Sequence, residues 1–127
     1  MIGTVLDIEE KTQINENFRQ VLVTSPHSQL VIMSLLPNED IGIEVHDTAN
    51  QFLRIESGEG KAILNGQEFQ LKEGSAVVVP AGTQHNIVNS STQNKMKLYT
   101  IYSPAEHKDG VVHKTKADAI ADTQDHI

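Results

Sequence analysis

Over most of its length this chain alternates between short aliphatic runs, rich in β-branched residues, and clusters of Pro, Gly, Asn and Ser. That rhythm constrains the fold more than any other feature. Phe18–Thr24 ends at Ser25-Pro26, and the run from Leu30 to Leu36, led in by Gln29, ends at Pro37-Asn38. Gly42–His46 precedes a polar turn, Asp47–Asn50, and Gln51–Glu56 ends at Ser57-Gly58. Gly60–Leu64 and Gln67–Leu71 flank Asn65-Gly66, the pair that a two-residue type I′ hairpin favours because both positions need φ > 0. Ser75–Val79 closes at Pro80-Ala81-Gly82, and Gln84–Asn89 and Lys95–Ser103 complete the set. Roughly nine or ten strands this short, evenly spaced, predict an antiparallel β-sandwich or barrel.

With 127 residues the chain is one domain, 1–127, with a barrel core at about 18–103 and a tail at 104–127. It contains no internal repeat or low-complexity linker. In the tail, Thr115–Asp122 predicts one short helix, with Thr115 as N-cap and Ala117, Ile120 and Ala121 on one face. The final residues are expected to fray. Ten basic against 17 acidic residues give a net charge of −7, which argues against a nucleic-acid or anionic-membrane partner. No window approaches the ~18 apolar residues of a membrane span. Met1–Glu10 holds acids and no Lys or Arg, so no secretory signal is expected, and the zero cysteines fit a reducing compartment, so the expected location is cytoplasmic. Without Cys there is no thiol nucleophile and no Cys-ligated zinc.

Two segments concentrate ligand-type side chains. In Glu44-Val45-His46 the two polar residues, two apart on a strand, share a face, and Gln51 opens the antiparallel return after a short turn. In Pro80-Ala81-Gly82-Thr83-Gln84-His85 a glycine turn delivers one histidine to the start of a strand. Taken singly, a Glu-x-His pair is usually a solvated face and a lone His a hydrogen-bonded one. Together they carry more. Gly74, Pro80, Ala81, Gly82, His85 and Asn89 match every fixed position of the second cupin motif, and Glu44, His46, Gln51 and Gly58 keep the spacing of the first. The chain thus resembles the cupin superfamily, and most of all the small single-domain cupins described as mannose-6-phosphate-isomerase-like. It departs from the first motif at Asn38, where Gly is usual, at Glu44, where His is usual, and at Gln51, where Glu is usual.

The resemblance implies an all-β, antiparallel jelly-roll barrel (a double-stranded β-helix) with metal ligands at Glu44, His46, Gln51 and His85. Two imidazoles, a carboxylate and an amide oxygen suit a divalent ion such as Zn, Mn, Fe, Co or Ni. By parity, Leu53 and Ile55 line the barrel with Gln51, and Ile87 and Asn89 line it with His85. On the last strand the uncharged set Met96, Leu98, Thr100, Tyr102 is favoured inward. Arg54, Glu56 and Phe52 face away. An exposed Phe52 beside charges marks a candidate dimer contact, and cupins of this size commonly form homodimers; the alternative is that a second sheet or the N-terminal segment covers it. The tail, with His107 and His113, is expected to be solvated; the sharper reading folds it over the barrel mouth, bringing one of these histidines to the site. His27 and His126 have no companions.

Three functions compete. One is a metal-dependent enzyme acting on a small polar metabolite, a sugar or organic acid, by isomerase, lyase or oxygenase chemistry, with Glu44 and His85 as catalytic candidates. The second is a non-catalytic small-molecule binder, motivated by the neutral Gln51. The third is a dimeric interaction module with a weak or empty site.

Overall fold

The computed structural model describes residues 2–125; His126 lies outside them. The elements run α1 (Ile8–Ile14), β1 (Arg19–Thr24), β2 (Gln29–Leu35), β3 (Asn50–Ser57), β4 (Gly60–Leu64), β5 (Gln67–Leu71), β6 (Ala76–Val79), β7 (His85–Asn89), β8 (Met96–Ser103), β9 (Val112–His113) and α2 (Lys116–Ala121). A six-stranded sheet in the order β6-β3-β8-β2-β1-β9 faces a three-stranded sheet, β5-β4-β7. All the ladders are antiparallel. Among the described residues no helix is long and apolar enough to cross a membrane.

Both sheets turn one face inward onto a shared aliphatic core. Val31, Met33 and Leu35 of β2, Leu53 and Ile55 of β3, and Met96 and Leu98 of β8 pack with Ala62 of β4 and Ile87 of β7, all essentially without exposure. This is the parity expected of β3, β7 and β8. Truncating one of these large side chains to Ala typically costs ~2–5 kcal/mol, because the lining cannot fully collapse. Asn65 (φ 48°) and Gly66 (φ 82°) make the left-handed pair of the β4–β5 hairpin. Asn38 adopts φ 64°, which explains the first departure from the motif: Asn is the side chain that best tolerates the conformation Gly usually supplies there. Gly60 has a different reason to be Gly. A Cβ there would sit 2.0 Å from the carbonyl oxygen of Val88, so a side chain would force β4 away from β7.

Three elements differ from the alternation reading. Gly42–His46 is not a strand. It runs antiparallel to β7 but touches the ladder at isolated bridges, Asp40–Val88 and Glu44–His85. Between them Gly42 takes φ 114° and donates its N–H to Oδ1 of Asn86 instead of to backbone. Helix α1 was not expected. Its N-cap, Asp7, accepts from the Glu10 N–H, and together with the turn that follows it covers the outer face of β3 and β8. There Gln13 donates to the Glu56 carbonyl, and the buried Lys97 donates to the Asn15 carbonyl and to Glu16. Phe52, on that same face, is half-buried with its ring 6.3 Å from that of Tyr99, so it is not the exposed aromatic the pattern suggests.

The third difference is the tail, which is docked rather than solvated. Buried Gln29 accepts the N–H groups of Glu106 and His107 and donates to the His107 carbonyl, and β9 then pairs with β1. Helix α2 starts where expected, with Thr115 accepting from Asp118 N–H. Asp125, expected to fray, is 4% exposed.

Candidate metal centre

The bridge between Glu44 and His85 places two of the four expected ligands side by side. Each donates its backbone N–H to the other's carbonyl at 2.9 Å. His46 follows, its carbonyl accepting from Gly82 N–H at 2.9 Å, which ties it to the turn leading into His85. Val45, between the two ligands, points outward and is 45% exposed. The result is one cluster: donor atoms of Glu44, His46 and His85 lie within 4.8 Å of one another, and the two imidazole centroids are 5.1 Å apart.

Hydrogen bonding fixes which atoms face the cluster centre. His85 Nδ1 lies 2.9 Å from the Thr83 carbonyl, which can only accept. The proton is therefore assigned to Nδ1, and Nε2 carries a bare lone pair. His46 Nδ1 is 3.6 Å from Oε2 of Glu106, just beyond hydrogen-bond distance. His46 Nε2 then meets Oε2 of Glu44 at 3.1 Å, out of line for a hydrogen bond, and neither atom has another partner among the described residues. A cation held at the cluster centre would satisfy both of these buried atoms.

Gln51 is buried at the start of β3. Its amide N–H donates to Thr100 Oγ1 at 3.0 Å, which commits the nitrogen and leaves Oε1 buried and unpartnered. Three of the four expected ligand atoms are thus polar, buried and unsatisfied, and the fourth is a freed imidazole nitrogen. These residues fit a divalent ion.

Behind the cluster stands a second histidine group that the sequence reading did not assemble. Tyr102 packs edge-on against His46 with centroids 5.5 Å apart, and His107 packs edge-on against Tyr102 at 5.2 Å. Burial, reinforced by the charge of Glu44, pushes the Tyr102 phenol well above its ordinary range, so it stays a neutral hydroxyl. His107 Nδ1 lies 2.9 Å from buried Asp125 and its Nε2 lies 3.4 Å from the Tyr102 hydroxyl. Burial and the nearby Arg19 charge pull His107 down to about 4 against the opposing pull of Asp125. His113 Nε2 lies 2.9 Å from Asp122, and its Nδ1 is 3.5 Å from an Arg19 guanidinium nitrogen. The hydrogen bond from His113 holds the Asp122 carboxyl below its usual range. With one ring nitrogen accepting and the other donating, His113 has no lone pair to offer. His113, Asp122 and Asp125 therefore form a tail clasp, although their spacing resembles a ligand set.

Comparison with known proteins bears on this geometry. A family model described as Cupin domain matches residues 31–102. The chain is 47% identical over 124 residues to uncharacterized protein YrkC of Bacillus subtilis (strain 168), covering 92% of this chain and 66% of that one. It is 47% identical over 111 residues to uncharacterized protein L612 of Acanthamoeba polyphaga mimivirus, covering 85% and 69%. The chain thus spans about two-thirds of the length of these curated relatives. The crystal structure of BH2720 from Bacillus halodurans superposes with a TM-score of 0.91 at 39% identity, covering 94% of each chain.

Proposed function

The chain belongs to the cupin domain family, and from that premise we propose that it holds one divalent metal ion through Glu44, His46, Gln51 and His85 and acts there on a small polar metabolite, a sugar or organic acid. The observation that carries this reading is the pair of buried atoms Glu44 Oε2 and His46 Nε2, 3.1 Å apart and without a hydrogen-bond partner among the described residues.

When bound, the ion would supply Lewis acidity to a carbonyl or hydroxyl of the ligand. The remaining work falls to the chain. The Thr83 carbonyl orients His85 and leaves its Nε2 bare, and the Glu106 carboxylate lies 3.6 Å from His46 Nδ1. Tyr102, held neutral, walls the cluster on the side of His107. Glu44 is the carboxylate placed to take or return a proton, and the reaction class is isomerase-, lyase- or oxygenase-like. The neutral Gln51, where an acid would bind a cation more tightly, favours a second reading: a protein that binds such a metabolite without turning it over. We also propose a cytoplasmic homodimer.

The test is metal analysis of untagged protein purified without chelator, beside the His46→Ala/His85→Ala double variant. The reading expects near-stoichiometric metal in the parent and loss in the variant. No metal in either, with no thermal shift on adding Mn, Fe, Co, Ni or Zn, would overturn it.

A further inference from the structure

Among the described residues, Arg19 is a buried charge with no carboxylate in salt-bridge distance. It opens β1 on the same parity as core residue Val21, so its side chain points inward, and it is 4% exposed. Its guanidinium lies 5.2 Å from the Phe18 ring centroid, which offers a cation–π face but no neutralising charge. One terminal nitrogen reaches His113 at 3.5 Å, and among the described residues Nε–H has no acceptor at all. Leaving a guanidinium dry and unpaired is costly, whereas a bidentate carboxylate satisfies its fork geometry.

The cavity beside it shows what would supply that partner. A cavity of about 280 Å³ is bounded by Arg19, Lys116, Ile41, Ile43 and Ile120, and Glu44 of the metal cluster also lines it. This lies near the small end of ligand pockets, which begin at about 300 Å³. The charges around it can be counted. Lys116 is paired with Asp40. Glu44 belongs to the metal cluster, so its charge is taken up when a divalent ion is bound there. With the ion bound, Arg19 is the one lining charge without a counter-charge among the described residues, so the cavity calls for one negative charge rather than two. Its isoleucine walls suit a short carbon skeleton.

We infer that this cavity binds a small monocarboxylate, with Arg19 clamping the carboxylate and the carbon skeleton extending toward Glu44. Arg19 is then the residue that selects acids over neutral sugars. The inference rests on the metal reading for taking up the Glu44 charge and for making the Glu44 end the reacting end.

The test uses the full chain, metal-free and metal-loaded, with butanoate, its neutral isostere butanamide, and inorganic phosphate as probes in ligand-observed NMR titrations. Butanoate should bind in the millimolar range or better, and butanamide at least about tenfold more weakly, since charge-assisted hydrogen bonds are lost. Phosphate should bind more weakly than butanoate. Arg19→Gln should reduce butanoate binding by a similar factor. Because Arg19 is buried, Ile120→Glu is the companion variant: its side chain is 74% exposed, so the fold tolerates it, and the new acid at the cavity wall should weaken butanoate several-fold. Equal binding of acid and amide, tighter binding of phosphate, or indifference to both substitutions would overturn the assignment. Metal retained without butanoate binding sinks this inference and leaves the metal reading standing. Arg19-dependent binding by a chain that holds no metal does the reverse.

Discussion

The molecule contains two pairs of buried histidines built to opposite specifications. His46 and His85 each have one ring nitrogen occupied by an oxygen or within reach of one, and the other left bare toward a shared centre. His107 and His113 have both nitrogens engaged by protein groups, on Asp125 and Tyr102 in one case and on Asp122 and Arg19 in the other. Burial is nearly the same in all four, at 4–5% exposure. The difference therefore lies in hydrogen-bond completion. A histidine whose bonds are complete is a clasp, and one with a lone pair left over awaits a ligand. Residue type and proximity alone rank the His113–Asp122–Asp125 group beside Glu44, His46 and His85.

Breaking the unsatisfied pair should give the largest effect. His85→Ala or His46→Ala should lower metal affinity by more than ~100-fold, since even outer partners of ligands are worth 10–100-fold. The fold should survive, because Glu44 Oε2 and His46 Nε2 make no hydrogen bond that holds it. Equilibrium dialysis with Zn or Mn, beside urea unfolding, reads both quantities.

Breaking a clasp should reverse that pattern. His107 is held at about 4 against an ordinary 6.5, so below pH 6.5 the unfolded chain binds a proton that the folded chain refuses. Stability from this residue is full above about 6.5, is lost as the pH falls through that value, and is exhausted near 4. The summed loss is up to ~3 kcal/mol. Urea melts of metal-free wild type and His107→Gln across that range should diverge, with the wild type showing the steeper acid loss. Parallel curves would contradict the assignment. Asp125→Ala strips the partner from a buried imidazole and should cost about 1–3 kcal/mol of stability while leaving metal affinity within a few-fold.

The smallest effect sharpens the comparison at its boundary. Glu106 belongs to the tail but faces His46 Nδ1. Glu106→Gln should weaken metal binding by roughly tenfold, the low end for a group that orients a ligand, with no change in the urea midpoint. Loss of stability with unchanged affinity would move Glu106 to the clasp side.

The sequence was most legible where structure is local. Asn65-Gly66 carries its own turn conformation, and of the two sets that alternation allows on β8 the uncharged one, Met96, Leu98, Thr100 and Tyr102, is the buried one. Glu44, His46 and His85 stand out through motif spacing, and the structure brings their donor atoms within 4.8 Å of one another. The parts that escaped depend on distant partners. His107 is buried by Asp125 and by Gln29, 78 residues away. Nothing adjacent to it in sequence announces a docked tail. Gly42–His46 reads as a strand until the side chain of Asn86 takes a ladder position. Helix α1 did leave a signal, since Asp7 and Glu10 have the spacing of a capping box. Arg19 left one too, sharing the inward parity of Val21.

The central claim concerns the protonation of individual ring nitrogens, so the most direct measurement is a long-range proton–nitrogen NMR correlation of the histidine rings in metal-free protein, repeated after adding zinc. The account predicts Nδ1–H tautomers for His46 and His85, with both Nε2 resonances shifting on zinc binding. His107 should be Nδ1–H and His113 Nε2–H, both unmoved by zinc. Zinc-dependent shifts at His113 or His107, or none at His46 and His85, would contradict the division of the four histidines into site and clasp.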